Sequence, residues 1–247
     1  MPIIYEPMGK AREYSALAAN YYKGCSHGCV YCYVPSCLLK TREEFHSDIA
    51  KRPRVLEEME RDLKKLSASS KSRETILFSF TSDPYQPFDS EARTTREAIA
   101  LCNRFDFPVQ ILTKGGLRSV VDLDILSKFS GNKFAATLTV CSEKDRLKWE
   151  PNAPPYEERV EALRLAHEAG VETWVSFEPV LYPEDVYKIV KETAGFVDLC
   201  KVGKLNHHPH AKTIDWKKFA VNITAMLDSL GKSYRVKEDL RGFINVE

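Results

Sequence analysis

Three cysteines near the start of the chain have a spacing that suits an iron–sulfur cluster. Cys25, Cys29 and Cys32 form a C-x3-C-x2-C triplet in the run Gly-Cys-Ser-His-Gly-Cys-Val-Tyr-Cys-Tyr at positions 24–33. Three thiolates at this spacing can bind three irons of a [4Fe–4S] cluster and leave the fourth iron without a protein ligand. An open iron can bind a substrate or cofactor, which distinguishes a catalytic metal site from a closed one. The triplet therefore predicts a catalytic cluster.

Other uses of three neighbouring cysteines fit this sequence less well. A structural zinc site usually has four ligands, commonly from two C-x2-C pairs, and the sequence has no second pair. A bacterial ferredoxin run reads C-x2-C-x2-C-x3-C-P. A disulfide framework is typical of small secreted chains, whereas this sequence has 247 residues and no signal-peptide pattern in its first residues. The remaining alternative is three ordinary thiols that happen to be close.

Hydrophobic patterning predicts an α/β fold in which strands and helices alternate. Apolar runs predict strands at residues 19–22, 75–80, 108–113, 133–140, 172–179 and 196–202. Helical periodicity predicts helices at residues 53–66, 91–105, 117–129, 156–169, 183–193 and 215–230. Alternation of this kind is typical of repeated βα units, so we expect a parallel sheet.

The chain resembles the radical S-adenosylmethionine (SAM) superfamily and, within it, the spore photoproduct lyase family of DNA repair photolyase-like proteins. The resemblance rests on the run at 20–33, on Thr-Ser-Asp-Pro-Tyr-Gln-Pro at 81–87 and on Thr-Lys-Gly at 113–115. It extends from about position 2 to about position 215. It implies a partial (β/α)6 TIM-type barrel, which the six predicted strands and six predicted helices match. We therefore expect one radical SAM domain over residues 1–247, with its core barrel at about 15–230.

The resemblance also implies two cofactors, a [4Fe–4S] cluster and SAM. In the family, the open iron binds the amino and carboxylate groups of SAM. An electron from the reduced cluster then cleaves SAM to methionine and a 5′-deoxyadenosyl radical, which abstracts hydrogen from a substrate. The cofactors perform the chemistry, and the protein positions them. The resemblance thus implies an enzyme that needs a reductant such as flavodoxin or ferredoxin and a substrate of unknown class: nucleic acid, peptide or small molecule.

Polar residues lie on one face of two predicted strands. Thr137, Thr139 and Cys141 share a face along the fourth strand, and Ser176 and Glu178 share a face along the fifth. Side chains of a barrel strand alternate between the interior and the helix layer, so the polar faces should line the interior. Full TIM barrels have an apolar, packed interior. A polar interior suits a large charged cofactor, although these side chains could also satisfy only one another.

By family position, a set of residues at the ends of the strands is expected to contact SAM: Thr81, Ser82, Asp83, Lys114, Thr137 and Thr139. Glu178 is a further candidate, which could hold a ribose hydroxyl of SAM or a substrate group. Asp83 could pair with the ammonium group of SAM, and in the family the lysine at position 114 lies near the SAM carboxylate. Alternatives remain open: an Asx turn at Asp83, a solvated Lys114, and an ion pair between Glu178 and Lys201, because a buried carboxylate needs a partner.

Three further residues are candidates for catalysis. Tyr31 and Tyr33 match the tyrosines that flank the third cluster cysteine in spore photoproduct lyase, and Cys141 is the candidate for a second chemical thiol. In spore photoproduct lyase itself, a cysteine directly before Thr-Ser-Asp returns hydrogen to the substrate radical. Phe80 occupies that position here. The departure implies a substrate other than the spore photoproduct, with nucleic acid still an open class.

Composition limits the remaining choices. The 36 Lys+Arg and 35 Asp+Glu residues give a net charge of +1, which provides no general electrostatic argument for nucleic-acid binding. No run of about 18 apolar residues predicts a membrane span. Seven cysteines suit a reducing compartment, so we expect a cytoplasmic protein.

Two other functions compete with the radical SAM enzyme. The first is an iron–sulfur electron-transfer or sensor protein that does not cleave SAM. The second is a nucleic-acid-binding or repair protein on the same barrel, whose binding would depend steeply on salt. The polar strand faces favour the enzyme.

Overall fold

A computed structural model describes residues 2–69 and 73–244, and a mostly parallel sheet organises them. Its strands, with two short ones outside the main sheet, are β1 Ile4–Tyr5, β2 Leu17–Ala19, β3 Tyr22–Lys23, β4 Ala50–Lys51, β5 Ile76–Phe78, β6 Val109–Thr113, β7 Lys133–Thr137, β8 Glu172–Phe177, β9 Leu199–Val202 and β10 Ser233–Val236. The main sheet has the order β1-β2-β5-β6-β7-β8-β9-β10. Only β1 is antiparallel to its neighbour. A separate antiparallel pair joins β3 and β4.

Helices connect the parallel strands, as the predicted βα repeats require. They are α1 Val34–Cys37, α2 Arg42–Ser47, α3 Val55–Ala68, α4 Pro87–Ala92, α5 Thr94–Arg104, α6 Leu123–Leu126, α7 Glu143–Trp149, α8 Tyr156–Glu168, α9 Pro183–Thr193, α10 Trp216–Ser229 and α11 Glu238–Arg241. Turns of 3-10 helix cover Gly9–Glu13, Gly116–Asp122 and Pro209–Thr213. No helix within the described parts of the chain is long and apolar enough to cross a membrane.

The predicted α/β class is confirmed, and several of its elements differ from the prediction. The first parallel strand, β2, begins before the predicted 19–22. The sheet contains a seventh parallel strand, β10, which was not predicted because its four residues bury only Val236. The predicted helix at 117–129 is instead a 3-10 turn followed by the short α6. The short α7 was also missed.

The sheet curls around the side chain and backbone of Tyr14. The carbonyl oxygen of Tyr14 accepts hydrogen bonds from Gln110 Nε2 on β6 (3.2 Å) and from Lys201 Nζ on β9 (3.3 Å). Strands three places apart reach one atom only if the sheet is strongly curved. A small inner cluster that includes Leu77, Ala135 and Trp174 packs against Tyr14 and fills the middle of the interior. The larger core lies between the outer face of the sheet and the helices.

Candidate functional site

A cavity of about 810 Å³ lies between the cysteine loop, residues 24–33, and the carboxyl ends of the parallel strands. Its wall brings together most of the predicted site residues: Cys25, Cys29, Tyr31, Cys32, Tyr33, Thr81, Ser82, Asp83, Lys114, Thr137 and Glu178. Thr139 and Cys141 are not part of the wall. The carboxyl ends of parallel strands meet at one edge of a sheet, which is where α/β barrels place their active sites.

The cysteine loop is held in place by its backbone. Gly24 has φ +67°, and a Cβ atom there would lie 2.5 Å from the carbonyl oxygen of Asp48. Glycine is therefore required both for its left-handed backbone and for the close approach of α2. The N–H of Val30 donates to the carbonyl of Trp149 (2.8 Å), which ties the loop to the end of α7.

Two side chains of α2 bind the carbonyl groups of all three cysteines of the triplet. His46 Nδ1 lies 2.7 Å from the carbonyl oxygen of Cys25. The guanidinium of Arg42 donates to the carbonyl oxygen of Cys32 (3.0 Å) and to that of Cys29. Because all three backbone carbonyls are engaged, α2 fixes the orientation of the loop. Neither residue was predicted from the sequence, although the Thr41–Glu44 capping box that starts α2 is visible in it.

Replacing Arg42 with alanine is expected to loosen the cluster without removing a ligand. Removal of a group that orients metal ligands typically lowers metal affinity by about 10- to 100-fold, so iron should be lost to a chelator about 10-fold faster or more. The measurement is the rate of iron release from anaerobic protein. Lys40→Ala is the matched control, because Lys40 is a nearby cation whose ammonium pairs with Asp48. Equal release rates for the two variants would contradict the role of Arg42.

The three thiols are suited to a cluster rather than to a single ion. Burial raises the pKa of Cys25 and Cys32 and raises the pKa of Cys29 to about 12, and neighbouring thiolates add to each increase. Binding of a cationic metal centre would reverse this preference and release protons. In the part of the chain that the structure describes, no three His, Cys, Asp or Glu side chains converge on one point as a single metal ion requires. A four-iron cluster instead accepts each thiolate on a different iron.

The residue between the first two cysteines supports a bound group in this cavity. His27 is 1% exposed and lines the cavity. Its Nδ1 lies 3.5 Å from Asp83 Oδ2, whereas its Nε2 is buried without a hydrogen-bond partner among the described residues. Buried polar atoms are normally hydrogen-bonded, so the free nitrogen is consistent with a ligand that the cavity is built to hold.

Asp83 joins the ends of two strands. Its carboxylate accepts hydrogen bonds from the N–H of Tyr85 (2.8 Å), from Thr113 Oγ1 (2.6 Å) and from the N–H of Lys114 (2.7 Å). The bond to Tyr85 is the Asx turn that the sequence left open as an alternative. Because its oxygens already have these partners, Asp83 positions the backbone of Lys114 rather than presenting a free carboxylate.

Tyr31 belongs to a buried ionic network that the sequence did not reveal. Its hydroxyl donates to Glu150, which is 0% exposed. Arg159 Nη1 lies 2.5 Å from Glu150 Oε2, and Thr139 Oγ1 donates to Glu150 Oε1 at 2.8 Å. Burial alone would raise the pKa of Glu150, but the charges of Arg159 and Lys114 lower it to about 2. Thr139 therefore supports this network instead of facing the cavity.

Lys114 presents a free ammonium group to the cavity. Its Nζ lies 5.7 Å from the centre of the Tyr31 ring and makes no hydrogen bond or ion pair with any described residue. Burial lowers the pKa of Lys114, but the nearby Cys29 and Glu150 offset this and the pKa is raised overall. The group is therefore charged and available to an anionic ligand.

A second ionic cluster forms the opposite side of the cavity. Glu178 Oε2 lies 3.0 Å from Lys237 Nζ and accepts a hydrogen bond from the Tyr14 hydroxyl (2.5 Å). Lys237 follows the unpredicted strand β10. The suggested ion pair between Glu178 and Lys201 is therefore wrong. The Nζ of Lys201 lies 3.8 Å from the centre of the Trp174 ring and donates to the carbonyl oxygen of Tyr14.

The remaining candidates occupy the rim or lie outside the cavity. Tyr33 is 51% exposed at the rim. Ser82 accepts a hydrogen bond from Gln86 Nε2 (3.0 Å), and Gln86 Oε1 accepts one from the N–H of Ser26 in the cysteine loop (3.1 Å). The Sγ of Cys141 donates to the carbonyl of Asp185 (3.7 Å), and burial raises its pKa to about 12. This position does not support a chemical role for Cys141.

Comparisons with known proteins agree with this geometry. The family model of the Radical SAM superfamily matches residues 19–197. An uncharacterized protein of Acidianus two-tailed virus is 26% identical over 196 residues, which cover 75% of this chain and 64% of the relative. One from Methanocaldococcus jannaschii is 26% identical over 182 residues, covering 72% and 66%. The chain thus spans less than two thirds of the length of these relatives.

Two solved structures share the fold. Spore photoproduct lyase in complex with dinucleoside spore photoproduct superposes with a TM-score of 0.72 at 15% identity, covering 94% of this chain and 78% of that one. Streptococcus suis SuiB bound to S-adenosylmethionine gives a TM-score of 0.67 at 14% identity, covering 90% and 50%. At these identities the similarity concerns the fold, and it confirms the partial barrel.

Proposed function

Because the chain belongs to the radical SAM superfamily, whose members use a [4Fe–4S] cluster and SAM, we propose that Cys25, Cys29 and Cys32 bind the cluster and that the adjoining cavity binds SAM. When bound and reduced, these cofactors supply a 5′-deoxyadenosyl radical that abstracts hydrogen from a substrate. The observation that carries the proposal is a single cavity of about 810 Å³ shared by the cysteine loop and the strand ends. Ligand pockets commonly have about 300 to 1,000 Å³.

The chain's own residues divide the work of binding between the two sides of the cavity. Lys114 offers its unpaired ammonium to the carboxylate of SAM, as a compact point charge can. Thr137 and Glu178 face the cavity from β7 and from the end of β8 and serve the ribose hydroxyls. Thr81 and Ser82 line the same cavity, and we assign them contacts with SAM. Asp83 acts by holding Lys114 in position.

The two tyrosines that flank Cys32 receive different roles in this proposal. The Tyr31 hydroxyl is committed to the buried Glu150, so Tyr31 shapes the wall beside the cluster. Tyr33 is half-exposed at the rim and is the tyrosine that a substrate can reach. A radical SAM enzyme needs a reductant and a substrate. We propose flavodoxin or ferredoxin as the reductant and the cytoplasm as the compartment.

SAM cleavage tests the proposal directly. Anaerobic, cluster-loaded and dithionite-reduced protein is given SAM, and 5′-deoxyadenosine is followed by chromatography. Formation of 5′-deoxyadenosine would support the enzyme. Its absence, together with no binding of SAM to the cluster-loaded protein, would favour an electron carrier or sensor.

Replacing Lys114 with glutamine is expected to weaken SAM binding. A hydrogen bond to a charged group contributes about 1.5–3 kcal/mol, so affinity should fall by about 10- to 100-fold. Equilibrium dialysis with labelled SAM measures the change at equal iron content. Lys204→Gln is the control, because Lys204 lines the same cavity but lies over the rings of Trp216 and Phe243. Comparable losses in both variants would show that Lys114 has no specific role.

A further inference from the structure

A second, smaller cavity opens at the amino ends of the parallel strands, on the other side of Tyr14. It has a volume of about 250 Å³, and its wall includes Gln110, Lys133, Trp174, Lys201 and Arg235. We call this the lower cavity, and the one of about 810 Å³ at the carboxyl ends of the strands the upper cavity. Tyr14 lines both: its hydroxyl donates a hydrogen bond to Glu178 in the upper cavity, and its carbonyl accepts one from Lys201 in the lower cavity. The lower cavity is therefore separate from the proposed SAM site.

Two cations lie side by side in this wall, Lys201 and Arg235. Arg235 on β10 is in register with Lys201 on β9. In-register residues of neighbouring strands lie next to each other on the same face, where like charges are unfavourable. Lys201 is 6% exposed, and among the described residues neither it nor Arg235 forms an ion pair. Glu74 also contributes to the wall, and Lys133 is neutralised at the opening by Glu172 (2.6 Å).

The surroundings of Lys201 are incomplete as they stand. Among the described residues, its ammonium contacts the carbonyl oxygen of Tyr14 at 3.3 Å and the rings of Trp174 and Tyr14. The indole Nε1 of Trp174 is buried without a hydrogen-bond partner in the described chain. Burial, reinforced by Arg235, Lys133 and Lys237, lowers the pKa of Lys201 to about 7. A buried cation is costly unless an anion pairs with it.

We propose that this lower cavity is a binding site for a phosphate group, held by Lys201 and Arg235. A guanidinium fork matches the oxygens of phosphate, and charge-assisted bonds of this kind are stronger than neutral ones. A bound phosphate dianion would favour the protonated form of Lys201 and accept hydrogen bonds from both Lys201 and Arg235, whereas a carboxylate carries one negative charge. The volume admits a phosphate group and a small attached fragment but no large ligand.

Titration calorimetry of the anaerobic, cluster-loaded protein with inorganic phosphate, in phosphate-free buffer at constant ionic strength, tests this site. We expect saturable binding by the wild type. The phosphate affinity of Lys201→Gln and of Arg235→Gln should be lower than that of the wild type by about 10-fold or more. Arg235 is exposed, so its replacement leaves the fold intact. Lys217→Gln, which removes an exposed cation from α10, should bind like the wild type.

Three outcomes would overturn the proposal. One is no saturable binding to the wild type. Another is equal affinity of the wild type and both variants, which would place the phosphate in the upper cavity or elsewhere. The third is acetate binding as tightly as phosphate, which would show that the cavity does not select a dianion. None of these results depends on SAM or on its cleavage.

Discussion

Cys29→Ala protein is expected to retain no [4Fe–4S] cluster and to form no 5′-deoxyadenosine. With one of three thiolate ligands removed, two remain, and iron and sulfide should fall from about four per chain to background. The loss of activity follows from the loss of the open iron. Iron and sulfide analysis after anaerobic reconstitution measures the first effect, and chromatography measures the second.

Cys37→Ala is the matched control for that experiment. Cys37 lies five positions after the triplet and is an exposed thiol at the end of α1, on the cavity rim. Its replacement should leave iron content unchanged. If Cys29→Ala kept its full iron content, or if Cys37→Ala lost as much iron, the assignment of the triplet as the ligand set would fail.

Arg159→Leu is expected to give the largest loss of stability among single substitutions near the site. Arg159 is 2% exposed, pairs with the fully buried Glu150 and also donates to the carbonyl of Pro154 (2.9 Å). Leucine would leave the Glu150 carboxylate buried with hydrogen bonds but without its paired cation. Breaking a buried pair by removing one partner costs about 3–5 kcal/mol. Urea unfolding of the variant and wild type measures the change in the free energy of unfolding.

The same helix provides the comparison. Arg164 on α8 forms ion pairs with Glu161 and Glu168, and all three side chains are substantially exposed. Exposed pairs contribute about 0–1 kcal/mol, so Arg164→Leu should change stability little. A difference of less than about 1 kcal/mol between the two variants would mean that water or Lys114 already compensates Glu150.

Much of the fold, and the residues that we propose as cluster ligands, could be predicted from short stretches of sequence. The cysteine triplet is local, so its spacing alone indicates the ligand set. Most of the predicted helices lie within a few residues of the observed ones, and α9 has the predicted bounds. Predicted residues after different strands meet in one cavity because parallel strands end at the same edge. Some errors occur where patterns are short, since β10 has four residues and α7 has seven. Another occurs at Gly116–Asp122, where a helical pattern forms a 3-10 turn instead of an α-helix.

The sequence by itself determined the chemistry: three thiols at cluster spacing, and polar residues at the ends of parallel strands. Tertiary structure alone decided which distant groups meet. Tyr31 bonds Glu150, 119 positions away, and Glu178 pairs with Lys237 rather than Lys201. Local patterns report periodicity and spacing, but the partner of a buried charge is set by how the sheet curls around Tyr14. Tyr14 lines both cavities, and in the second one Lys201 lies in register with Arg235.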